Sequence, residues 1–199
     1  MNFLMPERIA RLPKDTRGYP IPWNVLRGVD GFPIFTVNDD RKAWEALLKH
    51  LCPICGEKLG RWMWFVGGPR SAFDPEGWYI DLPGHHECIQ FALAVCPYLA
   101  APKYLGRIDV PDPSKLPTGF DVLLDETVIS ERPEVFVMVA SNRQEVLNRA
   151  PLQPYVRPER PALGYEYWRH GRQIAESEAM PYLQAVLGKE WKVPEVAKL

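Results

Sequence analysis

The feature that most constrains this chain is a pair of closely spaced cysteines, followed about thirty residues later by a histidine and a third cysteine. Cys52 and Cys55 flank a Pro-Ile dipeptide and precede Gly56. A Cys-x-x-Cys pair on a tight turn directs two thiolates at one point, which is half of a tetrahedral zinc site. His85 and Cys88, at the start of a predicted helix, supply two further ligands. The sequence therefore predicts one structural zinc ion on Cys52, Cys55, His85 and Cys88.

Helical periodicity decides which neighbouring side chains can reach that ion. After a Leu-Pro-Gly turn, apolar residues at i, i+3, i+4 and i+7 predict a helix that runs towards Leu99. At about 100° per residue, His85 and Cys88 lie roughly 60° apart, whereas His86 lies roughly 200° from Cys88. Cys96 would be about 12 Å further along the axis and is expected to be a buried residue of the core face.

Other uses of the cysteines are less consistent with the sequence. Disulfides would suit a secreted protein, but the N-terminus lacks the apolar segment of a secretory signal, which favours a cytoplasmic setting. A redox-active Cys-x-x-Cys pair would precede a helix, whereas a strand-like segment follows here. An iron–sulfur cluster would require a fourth thiolate in place of the histidine. His50, two residues before Cys52, is a weaker competitor for the role of His85.

The order of these parts resembles a treble-clef zinc finger over residues 51–99. The resemblance lies in the Cys-Pro-Ile-Cys-Gly knuckle, a hairpin-like segment, and a helix whose first turn carries the last two ligands. It implies a zinc-stabilised module but not a particular activity, because treble clefs serve binding, nuclease chemistry and scaffolding alike.

Other motifs resemble a small bacterial or bacteriophage protein family without an assigned activity. They are the segments Met-Pro-Glu-Arg-Ile-Ala-Arg-Leu-Pro at 5–13, Arg-Gly-Tyr-Pro-Ile-Pro-Trp at 17–23, Cys-Pro-Tyr-Leu at 96–99 and Trp-Arg-His-Gly-Arg at 168–172. This resemblance implies zinc and an intracellular setting, and it implies nothing about catalysis.

Composition limits the fold and the class of partner. The 199 residues are 46% hydrophobic, which is enough for a buried core, and 21 prolines against about 10 expected favour extended segments and short helices. The net charge of −1 is unusual for a nonspecific nucleic-acid binder. No run approaches 18 apolar residues, so no membrane span is expected.

We expect an α+β fold in four regions. Residues 1–20 form an extended basic arm, and residues 21–105 hold a hairpin, a helix and the zinc module. A proline-rich linker covers 106–119, and residues 120–199 make a small C-terminal α+β region packed on or tethered to the module. In the second region, a hairpin around Asp30-Gly31 leads to a helix capped by Asn38 or Asp39.

The C-terminal region is expected to begin with a buried strand at 135–140. The pattern Ser141-x-x-Gln144 predicts a capping box and a short helix that ends before Pro151, and 151–161 would be an extended connector. Strands on both sides of His170-Gly171 would form a hairpin, and a final helix would end at Gly188.

The sequence contains no Walker loop, no Gly-x-Ser-x-Gly elbow, no Gly-x-Gly-x-x-Gly fingerprint and no His-Glu-x-x-His motif. A metal-dependent nuclease or hydrolase remains the alternative function. Its candidate groups are His86, Glu87, Asp74, Glu76 and Asp81.

The preferred hypothesis is a noncatalytic, zinc-stabilised binding or adaptor protein that acts on a protein or on nucleic acid. Basic and aromatic side chains are its candidate contacts, since a basic stripe could meet phosphates and an aromatic strand could meet a protein. They are Arg8, Arg11, Lys14, Arg17, Trp62 and Trp64. A second group of arginines, at 143, 149, 157, 160, 169 and 172, could join the same basic face if the fold brings both groups to one side.

Overall fold

The structure is a computed structural model that describes residues 4–101, 112–119, 132–148 and 153–197. Its helices are α1 (Glu7–Ala10), α2 (Asp40–Lys49), α3 (Pro69–Phe73), α4 (His86–Val95), α5 (Pro97–Ala100) and α6 (Glu176–Leu187). Its strands are β1 (Val25–Arg27), β2 (Pro33–Asn38), β3 (Met63–Gly67), β4 (Phe136–Ser141), β5 (Gln144–Leu147), β6 (Tyr155–Pro158), β7 (Gly164–Arg169) and β8 (Arg172–Ile174). The described chain is therefore a mixed α+β protein, as expected.

A four-stranded antiparallel sheet with the order β3-β4-β7-β8 is the centre of the fold. All six residues of β4 are buried, and the strand is paired on both sides. Its run of Phe, Val, Met, Val, Ala and Ser has no polar alternation, as a strand covered on both faces requires. The segment between the two predicted ligand pairs contributes β3, so the candidate metal site lies against this sheet.

Two apolar clusters cover the two faces of the sheet. On one face Ile89 and Leu93 of α4 pack with Met138 and Trp168. On the other, α3 and α6 pack on the sheet, and Phe65, Val137 and Leu183 are buried there. Helix α4 is thereby fixed on the sheet, and its N-terminal end carries the predicted ligands His85, at the N-cap, and Cys88, in the first turn.

The N-terminal hairpin and α2 follow the sequence-based expectations closely. β1 pairs with β2 around the Asp30-Gly31 turn, where Gly31 has φ 78°. Asp39 is the N-cap of α2, and its carboxylate accepts a hydrogen bond from the backbone N–H of Arg41. The helix ends at His50 in the left-handed conformation, which turns the chain towards Cys52.

The helix expected after Ser141 was a wrong prediction. Residues Gln144–Leu147 form strand β5, which pairs antiparallel with β6. The Ser141 hydroxyl does bond locally, but it donates to the carbonyl of Arg143 and supports a turn between β4 and β5. Pairing with β6, which lies inside the expected connector 151–161, outweighs the local capping pattern.

The end of the chain agrees with its predicted elements. β7 and β8 pair around His170-Gly171, and α6 ends at Gly188 with φ 111°. Of the expected linker at 106–119, the structure describes residues 112–119, which contain a short 3-10 helix at Pro113–Lys115. Strands from the second and fourth expected regions share one sheet, and the four-region division itself stays a prediction. Within the described ranges, no helix is long and apolar enough to cross a membrane.

Candidate metal centre

The knuckle that presents Cys52 and Cys55 is a tight turn closed by backbone hydrogen bonds. The N–H of Gly56 donates to the carbonyl of Cys52 (2.8 Å), and the N–H of Cys52 donates to the carbonyl of Glu57 (2.8 Å). Gly56 has φ 76°, and a Cβ there would lie 2.8 Å from the Trp23 ring. Glycine is therefore required both by the left-handed backbone and by the indole packed over the knuckle.

The second half of the site lies at the beginning of α4. His85 is the N-cap residue with an extended backbone, and Cys88 lies in the first turn. The 60° separation expected from the sequence assumed that both residues are helical. Only Cys88 is helical, and His85 reaches the site from the residue just before the helix. Gly84 permits the close approach of the two halves, because a Cβ at this position would lie 3.2 Å from the Cys52 sulfur.

The four ligand atoms of Cys52, Cys55, His85 and Cys88 lie within 4.8 Å of one another. His85 Nδ1 is 3.4 Å from Cys55 Sγ and 3.9 Å from Cys88 Sγ. Zinc–sulfur bonds of about 2.3 Å and zinc–nitrogen bonds of about 2.0–2.1 Å at a tetrahedral angle place S and N about 3.6 Å apart. The spacing therefore fits one metal ion, and all three cysteines are buried.

The orientation of His85 identifies its ligand atom. Nδ1 faces the sulfurs, and Nε2 lies 3.0 Å from the carbonyl oxygen of Lys58. With a metal on Nδ1, the neutral ring carries its proton on Nε2 and donates it to that carbonyl. Arg8 Nη1 is 2.8 Å from the same Nε2, which in this tautomer is a contact between two donors rather than a hydrogen bond.

The electrostatics of the metal-free cluster show why a cation fits. Hydrogen bonds from Cys52 and Cys88 bring the pKa of Cys55 far below its ordinary value, while those with Cys52 and Cys55 raise the pKa of Cys88 far above it. Hydrogen bonding to Cys52 and then to Cys55 raises the pKa of His85 to about 10. Without a cation, one ionised thiol thus opposes ionisation of its neighbour, and a bound dication would favour three thiolates and a neutral imidazole.

The other candidate ligands lie outside this cluster. Cys96 is the C-cap of α4 and is only partly buried, so its expected full burial in the core was wrong, although its exclusion from the site agrees with the geometry. His50 is the C-cap of α2. Neither residue belongs to the group of close ligand atoms found among the described residues.

His86 points away from the metal site, as the helical angle predicted. Its Nε2 is 2.6 Å from Glu166 Oε1, and its ring lies 4.3 Å from the ring of Trp64. Glu166 also accepts hydrogen bonds from Gln90 (3.0 Å) and Trp168 (3.4 Å). Glu166 was not singled out from the sequence, and its position opposite α4 follows only from the pairing of β7 with β4.

Three of the acidic residues considered for catalysis have contacts with other residues of the chain. Asp74 accepts a hydrogen bond from the backbone N–H of Glu76 (2.9 Å), and Asp81 accepts one from the Asn38 amide (3.0 Å). Glu87 is ion-paired with Arg8 at 2.7 Å.

The arginines of the basic arm are ion-paired within the chain. Arg8 contacts Glu87 and Glu57, Arg11 pairs with Glu7 and lies 3.8 Å from Glu57, and Arg17 pairs with Asp15 at 2.8 Å. Arg17 also lies over the rings of Tyr19 and Phe35. The backbone of Lys14 forms a bridge with Pro20. The segment expected to be an extended arm thus includes α1, whose Arg8 lies against the candidate metal site.

The two tryptophans proposed for partner binding differ in exposure. Trp62 precedes β3 and is 41% exposed. Trp64 lies within β3 and is half-buried, because it packs against His86 and against the apolar cluster that includes Ile89 and Leu93 of α4. Of the pair, Trp62 offers the larger accessible surface.

Comparisons with protein-family models, curated proteins and solved structures gave no match. The class of protein is therefore defined by its own fold and site: an α+β protein with a Cys3His cluster able to hold one metal ion.

Proposed function

We propose that the chain holds one structural zinc ion and works as a noncatalytic binding or adaptor protein. The observation that carries the metal assignment is the donor set, three cysteine sulfurs and one imidazole nitrogen within 4.8 Å. Thiolate and imidazole donors in a tetrahedral arrangement favour zinc over harder cations such as magnesium or calcium.

A structural rather than a catalytic zinc is supported by the completeness of the set. Catalytic zinc sites use three protein ligands and leave the fourth position to water. Here four protein ligands are close enough to fill a tetrahedron. The three cysteines are buried and His85 is half-buried. The zinc would then join the knuckle to α4 and supply folding energy.

We further propose that this module is treble-clef-like. The order of knuckle, strand β3 and ligand-bearing helix α4 supports that proposal. β3 has its ladder partner β4 outside the module, and inside it Trp64 pairs with Gly84 at a single bridge. A treble clef here would therefore share its strand with the central sheet.

Ion pairing favours a protein over nucleic acid as the partner. A phosphate-binding face needs cations that are available to phosphates. The arm arginines are already paired, and several C-terminal arginines are too: Arg143–Glu159, Arg157–Glu145, Arg169–Glu134 and Arg172–Glu178. Arg160 donates instead to the carbonyls of Ala72, Phe73 and Asp74. Arg149 lies outside the described residues.

We propose a cytoplasmic protein partner that contacts the exposed Trp62.

Two measurements on the purified protein test this proposal. Elemental analysis should find one zinc per chain, and fluorescence anisotropy should find no tight binding of labelled single-stranded or duplex DNA and RNA. Affinity capture from cells of the source organism, comparing wild type with Trp62→Ala, should recover a protein whose binding resists salt and weakens in the variant. Tight, strongly salt-dependent oligonucleotide binding that weakens on charge reversal at Arg11 and Arg17 would contradict the choice of partner.

A metal-dependent nuclease or hydrolase is the second candidate function. The observation in its favour is His86, which follows the candidate ligand His85 in the sequence and is hydrogen-bonded to the carboxylate of Glu166, an arrangement that orients a general base. Cleavage of DNA, RNA or peptide that is stimulated by magnesium or manganese and lost in His86→Ala with zinc retained would replace the binding proposal.

A further inference from the structure

Arg8 contacts both halves of the metal centre. Its Nε is 2.7 Å from Glu87 Oε1, in the first turn of α4, and its Nη1 is 3.6 Å from Glu57 Oε2, directly after the knuckle. The guanidinium also interacts electrostatically with Cys55, and its Nη1 lies 2.8 Å from Nε2 of His85. One side chain therefore meets a ligand and an acidic neighbour from each half.

Arg8 is held in this position by the packing of α1. Ile9, the next residue, is completely buried in the main core. The N–H groups of Ile9 and Ala10 both donate to the carbonyl of Pro6 at 2.9 Å. The Arg8 side chain is 29% exposed, less than either Glu57 at 42% or Glu87 at 52%. The guanidinium is therefore presented by an anchored helix and is partly shielded from solvent.

The charge of the site calls for a cation at this point. Zinc with three thiolates and a neutral imidazole carries a net charge of −1, and the carboxylates of Glu57 and Glu87 lie beside it. A planar guanidinium can donate to several acceptors at once and keeps its charge at any physiological pH. Hydrogen bonds to a zinc-bound sulfur and to residues around the ligands hold the ligands in their binding geometry.

We propose that Arg8 is a positioning residue of the metal site, which ties the knuckle to α4 through Cys55, Glu57 and Glu87 and slows metal release. This inference rests on the proposed zinc site. It replaces the role in partner binding that the sequence suggested for Arg8, and it makes the N-terminal segment a part of the metal centre.

The test compares zinc release from wild type, Arg8→Ala, Arg8→Lys and Arg11→Ala. Arg11 is the matched control, because it lies in the same segment and near the same Glu57 but pairs chiefly with Glu7. Each zinc-loaded protein is mixed with excess chelator, and release is followed with a colorimetric zinc dye. We expect release about 10-fold faster or more in Arg8→Ala. Arg8→Lys should lie in between, since it keeps the charge but cannot bridge the two halves, and Arg11→Ala should match wild type.

The outcomes separate this inference from the proposal beneath it. Wild-type protein without zinc would overturn both. One zinc in every variant with equal release rates would overturn the role of Arg8 alone, as would equal acceleration in Arg8→Ala and Arg11→Ala. If Arg8→Ala does not fold, the comparison of Arg8→Lys with Arg11→Ala decides in the same way.

Discussion

Two adjacent histidines at the start of α4 have opposite surroundings. His85 faces three cysteine sulfurs, whereas His86 faces a carboxylate and an indole on the sheet. The first belongs to a cluster that could hold a metal ion, and the second is hydrogen-bonded to the carboxylate of Glu166. Residue type alone does not separate these roles. The difference arises because the two side chains point in different directions from the start of α4.

The largest effect should come from a change on the His85 side. Cys55→Ser should lower zinc content and thermal stability together, because the binding energy of the metal is folding energy. Zinc at about a thousandfold excess over its Kd contributes about 4 kcal/mol. In a chain of this size that corresponds to about 8–16 °C in Tm. Elemental analysis and calorimetry measure both quantities, and full zinc in the variant would contradict the ligand assignment.

Zinc binding should release protons at neutral pH. In the metal-free protein His85 has a pKa of about 10 and Cys88 a raised one, so both carry a proton at pH 7 and must lose it to bind zinc. Affinity should therefore rise with pH across the neutral range and fall as the solution is acidified. Titration calorimetry in buffers of different ionisation enthalpy should show at least two protons released per zinc. Binding without proton release would contradict this assignment.

A change on the other side should leave the metal in place. His86→Ala removes one of the three hydrogen bonds to Glu166 and the ring contact with Trp64. We expect a loss of about 1.5 kcal/mol, the low end of the range for a hydrogen bond to a charged group, because the His86 side chain is 41% exposed. Chemical denaturation measures the loss, and zinc should remain at one equivalent. Loss of zinc in this variant would remove the contrast between the two histidines.

The smallest effect is expected at the remaining cysteine. Cys96→Ala changes a partly buried side chain at the end of α4, away from the four ligands. Zinc should stay at one equivalent, and stability should change by less than about 1 kcal/mol. A fall in zinc content comparable to that of Cys55→Ser would show that the fourth ligand had been misassigned.

The cluster of four candidate ligands could be predicted from sequence because most of the information that specifies it is local. A Cys-x-x-Cys knuckle with Gly56 and a His-x-x-Cys helix start each carry their own geometry, and only their meeting is nonlocal. The strand β5 could not be predicted in this way. Ser141-x-x-Gln144 has the spacing of a helix cap, and the pairing with Tyr155–Pro158 that overrides it lies beyond the next turn.

Arg8 shows the same limit at a single side chain. In the sequence it belongs to a run of basic residues, which is typical of a surface that binds phosphates. Its contact with His85 spans 77 residues, so no local pattern could assign it to the metal site. Glu166 was missed for the same reason, because it meets His86 only through the register of the central sheet.

The sheet pairing also has a consequence for the order of folding during synthesis. All four ligands lie between residues 52 and 88, whereas β4, the partner of β3, begins at Phe136, roughly forty residues after the end of α4. At about 5–20 residues per second, a ribosome needs about 2–8 s to make that stretch. In that interval the metal module can close while β3 still lacks its neighbour. Captured zinc would then hold α4 and the knuckle together as a nucleus onto which the later strands add, one after another, as they emerge.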